Sequence, residues 1–362
     1  MARKRAALIL TGATVALLLS TAIQVAAAPT FQFLGKVHPP ATTGFDISWV
    51  DNHTNLYYLA DRTNHGIDVV DVTATPPGGY LGTMTGAGVL AFQNTGVRAT
   101  SGPDGVLTDK FGNIWAGDGN STIKMGTLAT GVTESISTCI AAAPYSGNPA
   151  NCKRADELSY DPQDQIILIA NANAVPAPFL TFISTAAGNH QVLGHYVYPT
   201  TQVGLEQSVW DPQSHLFYQA VPGKGIDAFD PHTMLPVRSL ALPCTDGPSG
   251  LALTNNQKLA AACGDAGYFV QLHNGQIHAV IPEVGGADEV WFNPGDHNVY
   301  YARSGAQSLG VVNADNDQFV TNLPTAAGSH SVAASASNNR IFVPVNDNSG
   351  ILVFASHDNP GH

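Results

Sequence analysis

Residues 204–220 read GLEQSVWDPQSHLFYQA, and this stretch contains the pattern that recurs along the whole chain. A glycine and the acid Glu206 precede an apolar, β-prone run. A turn at 211–214 and a second β-prone run follow. Asp, Pro, Gln and Ser between two such runs are typical of a tight reversal between antiparallel strands. The stretch therefore predicts two paired strands with an acid just before the first.

The same arrangement occurs seven times. Its acidic position is occupied by Asp46, Asp104, Asp156, Glu206, Ser249, Asp288 and His330, called here the column residues. Second strands are predicted at 56–60, 114–117, 166–170, 216–220, 258–263, 299–303 and 340–345. Column residues are 58, 52, 50, 43, 39 and 42 positions apart. Repeats of about forty residues or more with four short strands each indicate the blades of a β-propeller.

The two ends of the chain complete one blade. The last repeat stops after a third strand at 351–355, and an extra strand at 31–37 precedes the first column residue. Its Leu34-Gly35 matches Leu81-Gly82 and Leu193-Gly194, which lie at fourth-strand positions. Pairing the two ends covers both open edges. We therefore predict an all-β, seven-bladed β-propeller closed by the N-terminal strand, with one domain at 28–355 and a polar tail at 356–362.

Residues 1–27 have the features of a secretory signal peptide: a basic start, an apolar stretch at 6–22 and small residues before the cleavage point. A membrane anchor is the alternative, because the apolar stretch approaches the lower limit for spanning a bilayer. Removing three cationic residues and no acids changes the net charge from −12 to −15. This charge disfavours nucleic acids and anionic membranes as partners. We expect an exported monomer, periplasmic or extracellular, that acts on a small molecule.

The cysteines indicate disulfides. Their number is four, and an exported chain is expected to pair them. Cys244 precedes the inner strand of one repeat and Cys263 ends its antiparallel neighbour, so both lie at the same rim. This pairs Cys244 with Cys263 and leaves Cys139 for Cys152. A zinc site is the rival interpretation, but no CxxC spacing supports it.

The column residues carry the functional prediction. The inner strands of a propeller start beside the central axis, so five carboxyl groups would meet at one channel mouth and require compensation by a cation or hydrogen-bond donors. We expect Glu206, Asp104, Asp156 and Asp46 as ligands of a divalent metal. Calcium is the first candidate and Mg²⁺ is possible, whereas His330 would admit Zn²⁺ or Mn²⁺. The alternative is that these side chains only cap turns.

Three further roles are predicted around this mouth. His330 would carry a proton, with Asp288 orienting it. Arg303, Asn171 and Ser249 would contact substrate, although Arg303 could instead neutralise Asp288 or Glu289. Phe179 or Tyr160 would line a pocket, with packing in the blade core as the alternative for both. The four tryptophans, which are Trp49, Trp115, Trp210 and Trp291, are expected to pack between blades.

Two stretches resemble known families. Residues 204–211, together with Gly102-Pro103-Asp104-Gly105 and Gly247-Pro248-Ser249-Gly250, resemble metal motifs of the regucalcin/gluconolactonase/luciferin-regenerating group. That resemblance implies Glu206 and Asp104 as metal ligands, usually of Ca²⁺, in a lactone- or ester-hydrolysing centre. Ser249 stands where that group has Asn, and the group has six blades. The whole repeat pattern is similar to YVTN-repeat and quinoprotein-like seven-bladed propellers.

These observations lead to one functional hypothesis with two alternatives. The first is a metal-dependent hydrolase of a small lactone or ester, without the GxSxG of a serine hydrolase. The second is a non-catalytic binding or scaffolding propeller with a structural cation. A lyase that uses His330 and a nearby acid is the third.

Overall fold

The computed structural model describes residues 30–199 and 204–357. These residues form seven four-stranded antiparallel sheets, which confirms the predicted all-β propeller. The only α-helix among them is the short α1 (Pro149–Cys152). Three 3₁₀ turns lie at Gly88–Leu90, Arg98–Thr100 and Pro282–Val284.

The chain begins with β1 (Thr30–Val37), which belongs to the last blade. Three blades then follow in chain order. They are β2 (Phe45–Asp51), β3 (Leu56–Asp61), β4 (Gly66–Asp71) and β5 (Gly79–Met84); β6 (Val106–Thr108), β7 (Ile114–Asp118), β8 (Thr122–Thr127) and β9 (Gly131–Ser137); and β10 (Leu158–Asp161), β11 (Ile166–Asn171), β12 (Phe179–Ser184) and β13 (Gln191–Val197).

Three more blades are built in the same way. They are β14 (Ser208–Asp211), β15 (Leu216–Val221), β16 (Gly225–Asp230) and β17 (Leu235–Ala241); β18 (Leu251–Leu253), β19 (Lys258–Ala262), β20 (Gly267–Gln271) and β21 (Ile277–Ile281); and β22 (Val290–Asn293), β23 (Asn298–Arg303), β24 (Ser308–Asn313) and β25 (Gln318–Pro324). The second strands begin at the predicted residue or one residue from it.

The seventh blade joins the two ends of the chain. It contains β26 (Ala333–Ala334), β27 (Arg340–Pro344), β28 (Ile351–His357) and the N-terminal β1. Strand β1 pairs antiparallel with β28 from Thr30 opposite His357 to Val37 opposite Ile351. Strand β28 thus continues two residues into the segment expected as a tail. Inner strands contact one another in the closed cycle β2, β6, β10, β14, β18, β22, β26 and back to β2, so the ring is complete.

Second strands are apolar on both faces because a blade lies on each side. In β11 every residue is buried. Leu168 packs with Phe217 of the following blade, whereas Ile167 packs with Trp115 of the preceding blade. Successive side chains of a strand point to opposite faces, so the two blades receive alternate residues. This explains why second strands read as continuous apolar runs.

Every outermost strand carries one extra residue where its pairing shifts register. These residues are Leu34, Leu81, Thr133, Leu193, Val237, His278 and Val320. A β-bulge increases local twist and is common at sheet edges. The Leu-Gly pairs seen in the sequence are therefore bulge positions. At two of them the glycine is needed, since Gly35 and Gly82 have φ of 124° and 146°.

Both predicted disulfides are present. Cys139 and Cys152 have Cα atoms 5.4 Å apart, and Cys244 and Cys263 have Cα atoms 5.6 Å apart. All four cysteines are paired, so the rival zinc interpretation is excluded. Among the described residues no helix has the length and apolar character needed to cross a membrane. The predicted signal peptide at 1–27 lies outside these residues.

Candidate functional site

The column residues lie at one end of the axial channel, called here the mouth. Five of them share one backbone hydrogen bond, in which their N–H groups donate to a carbonyl of the second strand. The pairs are Asp104 to Gly117, Asp156 to Ala170, Glu206 to Ala220, Ser249 to Ala262 and Asp288 to Ala302. Repetition of this bond places equivalent residues at equivalent positions of successive blades, as the sequence alignment predicted.

Three of the acids converge closely. Asp46, Asp104 and Asp156 each offer a carboxylate oxygen, and these oxygens all lie within 4.8 Å of one another. All three side chains are buried, with Asp104 completely inaccessible. Such a grouping could hold a metal ion, and its oxygen donors suit Ca²⁺.

Two arginines contact the same three carboxylates. Arg62 forms salt bridges with Asp46 and Asp104, and its Nε donates to Asp104 Oδ1 at 2.9 Å. Arg154 reaches Asp46 at 2.8 Å and Asp104 at 3.3 Å through Nη1, and it pairs with Asp156 through Nη2. We call these five side chains the acid–arginine cluster. Neither arginine was predicted from the sequence.

Local structure holds Arg154 in this position. The Asn171 amide donates to the backbone carbonyls of Cys152 and Arg154, at 3.2 and 3.3 Å. Cys152 is also fixed by its disulfide to Cys139. Asn171, predicted to bind substrate, is fully buried and positions the Arg154 loop.

Charge in the cluster does not balance, because three carboxyl groups face two guanidinium groups. Burial alone would raise the pKa of Asp46, but Arg62 and Arg154 outweigh it and hold that pKa far below its usual value. Burial raises the pKa of Asp104 to about 7, against the attraction of Arg154 and Arg62. It also raises the pKa of Asp156 well above its usual value. The cluster therefore retains a proton more readily than three separate aspartates would.

The remaining four column residues, Glu206, Ser249, Asp288 and His330, form what we call the open half of the mouth. The carboxylates of Glu206 and Asp288 form no hydrogen bond and no salt bridge with another described residue. Burial, Asp156 and Asp288 raise the pKa of Glu206 to about 8. Burial also raises the pKa of Asp288. Between these two acids in the chain, the Ser249 hydroxyl donates to the Ala287 carbonyl at 3.0 Å.

His330 lies beside Asp46. Its Nδ1 is 2.8 Å from the Gly328 carbonyl, its Nε2 is 3.6 Å from Asp46 Oδ1, and its ring stacks on Phe45. Among the described residues His330 forms no ion pair with Asp288, so Asp46 is the nearer acid. Burial lowers the pKa of His330, but Asp46 and Asp288 raise it further and the net pKa lies above its usual value.

Arg303 is directed away from the acids. Its guanidinium donates to the Gly285 carbonyl, Ser308 and Asn322 at 3.0 to 3.2 Å. It forms no salt bridge with Asp288 or Glu289 among the residues that the structure describes. Both acids thus lack the compensation that the sequence had suggested as one role of Arg303.

A second layer of acids follows the column residues. Glu157 and Glu289 lie one position after Asp156 and Asp288, and both are at least 95% buried. Burial and their mutual repulsion raise the pKa of Glu157 well above its usual value. This pair was predictable from the sequence, because the acid doublets at 156–157 and 288–289 occur at the same repeat position.

The acid–arginine cluster contains three of the four predicted metal ligands. Asp104 Oδ2 is buried without a hydrogen-bond partner, and three oxygen donors suit Ca²⁺. The two guanidinium groups already contact all three carboxylates, however, so a metal there would compete with them. Glu206 and Asp288 meet no such competition. Among the described residues the open half thus offers carboxylates without a competing salt bridge, whereas the three acids whose oxygens lie within 4.8 Å of one another belong to the acid–arginine cluster.

The comparisons with known proteins identify the fold only. No protein-family model and no curated protein matches this chain. Among solved structures, 1524 chains match. One described as "Crystal Structure of Mitotic Checkpoint Complex" has a TM-score of 0.65 and 10% sequence identity, and the match covers 99% of each chain. At such low identity the likeness shows a β-propeller and assigns no chemistry.

Proposed function

We propose that this protein is an exported propeller that binds a small ligand at the channel mouth through a divalent cation, without turnover. One observation carries the proposal. Arg62 and Arg154 form salt bridges with three acids, whereas Glu206 and Asp288 form no salt bridge with a cationic side chain among the described residues. Partly buried carboxyl groups without an ion pair favour a bound cation.

Calcium is the first candidate for that cation. Glu206 and Asp288 would hold it from neighbouring sides of the Ser249 hydroxyl, with water completing an all-oxygen shell. Mg²⁺ would be held less well, because it requires near-octahedral geometry at shorter distances. A small anionic or hydroxylated ligand would bind the exposed side of the ion.

Export is supported by the two disulfides, since such bonds persist in oxidising compartments. The predicted leader at 1–27 would direct the chain there. The periplasm and the extracellular space are equally compatible with these features.

Metal-dependent hydrolysis of a lactone or ester is the second candidate. His330 favours it, because its Nε2 is buried without a hydrogen-bond partner and its pKa lies above the usual value. A metal at the open half would supply Lewis-acid polarisation of a carbonyl. His330 would then hold the proton that is exchanged with the leaving oxygen.

Metal content and thermal melting distinguish these functions. We would measure both for the wild type, Glu206→Gln and Asp288→Asn, with the exposed Glu283→Gln as the matched control. The proposal expects about one equivalent of Ca²⁺ and a rise in melting temperature on adding Ca²⁺. Both effects should persist in the control and disappear in the two site variants.

A lactone panel assayed on the same samples separates binding from catalysis. Calcium-dependent turnover that Glu206→Gln abolishes would favour the hydrolase. Absence of bound metal and of any Ca²⁺-induced change in melting would refute both forms of the proposal.

A further inference from the structure

A separate cavity of about 460 Å³ occupies the axial channel beyond the second layer of acids. We call it the axial cavity. Glu157 and Ile47 line it at the end nearest the mouth and are buried. Tyr160 and Trp210 line it further along their strands and are partly exposed, and Pro162 is exposed. The cavity therefore opens at the face opposite the mouth.

Aromatic side chains form much of its wall. Trp49, Trp210, Trp291, Tyr160 and Phe292 all line it. The rings of Trp49 and Trp291 meet edge to face, with centroids 5.3 Å apart. The expected packing between blades thus leaves three of the four indoles facing the channel. A volume of this size with apolar walls is typical of a small-molecule site.

Several polar groups in this wall lack partners. The Nε1 atoms of Trp210 and Trp291 and the Tyr160 hydroxyl are buried with no hydrogen bond. These atoms have almost no accessible surface, so a ligand in the cavity does not reach them. The accessible wall is mainly aromatic and aliphatic with Glu157 as its one acidic residue, and it favours a ligand with an apolar body and a polar head.

Two glutamates without a cationic partner among the described residues lie at the inner end of the cavity. Glu157 lines the cavity, and the neighbouring Glu289 has a buried Oε2 with no partner. No cationic side chain forms a salt bridge with either residue within 30–199 and 204–357. Gln207 is unavailable to them, because its amide bonds the backbone of Leu251 and Val290.

We propose that the axial cavity binds a protonated primary amine carried on an aromatic body, with the ammonium group at Glu157. Ammonium N–H groups would satisfy the carboxyl oxygens, and the indole faces would attract the same charge. A neutral apolar ligand would leave the acids unpaired. A quaternary ammonium would supply no N–H donor. The ammonium position at Glu157 lies at the inner end of the cavity, between its opening and the mouth, and uses neither Glu206 nor Asp288, so the proposal does not depend on the cation site.

Three probes of equal shape test the assignment: 3-phenylpropylamine, 3-phenylpropan-1-ol and 3-phenylpropanoate. Binding is read from intrinsic tryptophan fluorescence, since three of the four indoles line the cavity, and is confirmed by calorimetry. The amine should bind about tenfold or more tightly than the alcohol, and the carboxylate should bind least. Equal affinities, or no binding of the amine at millimolar concentrations, would overturn the proposal.

Variants locate the amine within the molecule. Glu157→Gln should weaken amine binding about tenfold or more and leave the alcohol unchanged. Glu206→Gln at the mouth and the exposed Glu283→Gln should bind the amine like the wild type. Trp210→Phe provides a second cavity variant that should weaken binding if Glu157→Gln does not fold. Loss of amine binding in Glu206→Gln, with Glu157→Gln unaffected, would place the amine at the mouth and contradict the assignment.

Discussion

Arg154 contacts three carboxylates from a single loop position, and at the residue scale it explains how so much acid is tolerated at the mouth. Its two terminal nitrogens divide the contacts, with Nη1 toward Asp46 and Asp104 and Nη2 toward Asp156. Planar guanidinium groups suit such shared recognition better than a point charge. The arginines thus provide part of the compensation that the sequence had assigned to a metal.

Replacing Arg154 by Met should therefore be strongly destabilising. The side chain keeps much of its length, but three buried acids lose a common partner, and breaking a buried ion pair costs about 3–5 kcal/mol. The free energy of unfolding in urea measures this loss. Arg98→Met is the control. The Arg98 side chain is 66% exposed, and its contact with Asp46 is a long one of 3.7 Å. Its loss should therefore cost under about 1 kcal/mol.

A double variant identifies the cause. Arg154→Met combined with Asp156→Asn removes one uncompensated charge and should recover part of the stability. If the double variant is no more stable than Arg154→Met, lost packing rather than lost charge is responsible.

The raised pKa of Glu206 predicts how stability changes with pH. In the unfolded chain this glutamate loses its proton near its ordinary pKa of 4.5, whereas in the folded protein it keeps the proton up to about 8. The folded state therefore binds more protons between these values, and stability falls as pH rises through this window. Asp104, with a pKa of about 7, and His330, whose pKa is also raised, act in the same direction.

Thermal melting from pH 5 to pH 9 in chelator-containing buffer tests this expectation. The wild type should melt at lower temperature at pH 9. Glu206→Gln should flatten the profile and gain about 1–3 kcal/mol relative to wild type at the alkaline end. Asp46 affects the pH dependence only below its ordinary pKa. There, protonation of its carboxylate weakens the ion pairs with Arg62 and Arg154 and lowers the stability. A flat wild-type profile, or one unchanged by Glu206→Gln, would contradict the assigned protonation.

How far these side chains could be predicted depends on repetition. Asp46, Asp104 and Asp156 were predictable as neighbours because each occupies the same position of a repeat. Arg62 and Arg154 recur in no other blade, and they reach the axis from loops whose paths the sequence does not specify. Contact between a loop arginine and acids as many as 108 positions away depends on the closed ring.

At the element scale, the strands were easier to predict than the loops. The second strands begin where the sequence places them, because residues apolar on both faces form a continuous run. Leu-Gly pairs marked outer strands correctly, although their physical reason is the β-bulge. The disulfide of Cys139 with Cys152 was also predictable, but its consequence was not: it fixes the backbone just before Arg154. An outer loop thereby supports a residue at the axis.

On the scale of the whole molecule, the channel has two ends of different chemistry. At the mouth, the acids lie at or just before the start of the inner strands, and loop arginines contact them. At the opposite face, aromatic residues of the same strands surround a cavity. Glu157 and Glu289 lie between the two regions. The sequence predicted the first end from one aligned column, whereas the second involves residues that had been interpreted only as packing.

Ring closure is the property on which both ends depend, and it can be removed. A chain that begins at His38 lacks β1, which leaves the β28 edge unpaired and removes the buried Val37 from a cluster shared with β2. Burying one such side chain contributes about 1.5–3 kcal/mol, and an exposed strand edge favours association. We expect the shortened chain to melt at clearly lower temperature and to oligomerise, as measured by calorimetry and sedimentation. A chain that begins at Thr30 keeps the whole strand and is the control.

A synthetic peptide of residues 30–37 should restore the melting temperature and the monomer, since the missing strand is held by pairing and packing rather than by chain connection. If the shortened chain remains monomeric and melts like the control, β1 does not stabilise the ring, and blade packing alone holds the acids and the cavity in place.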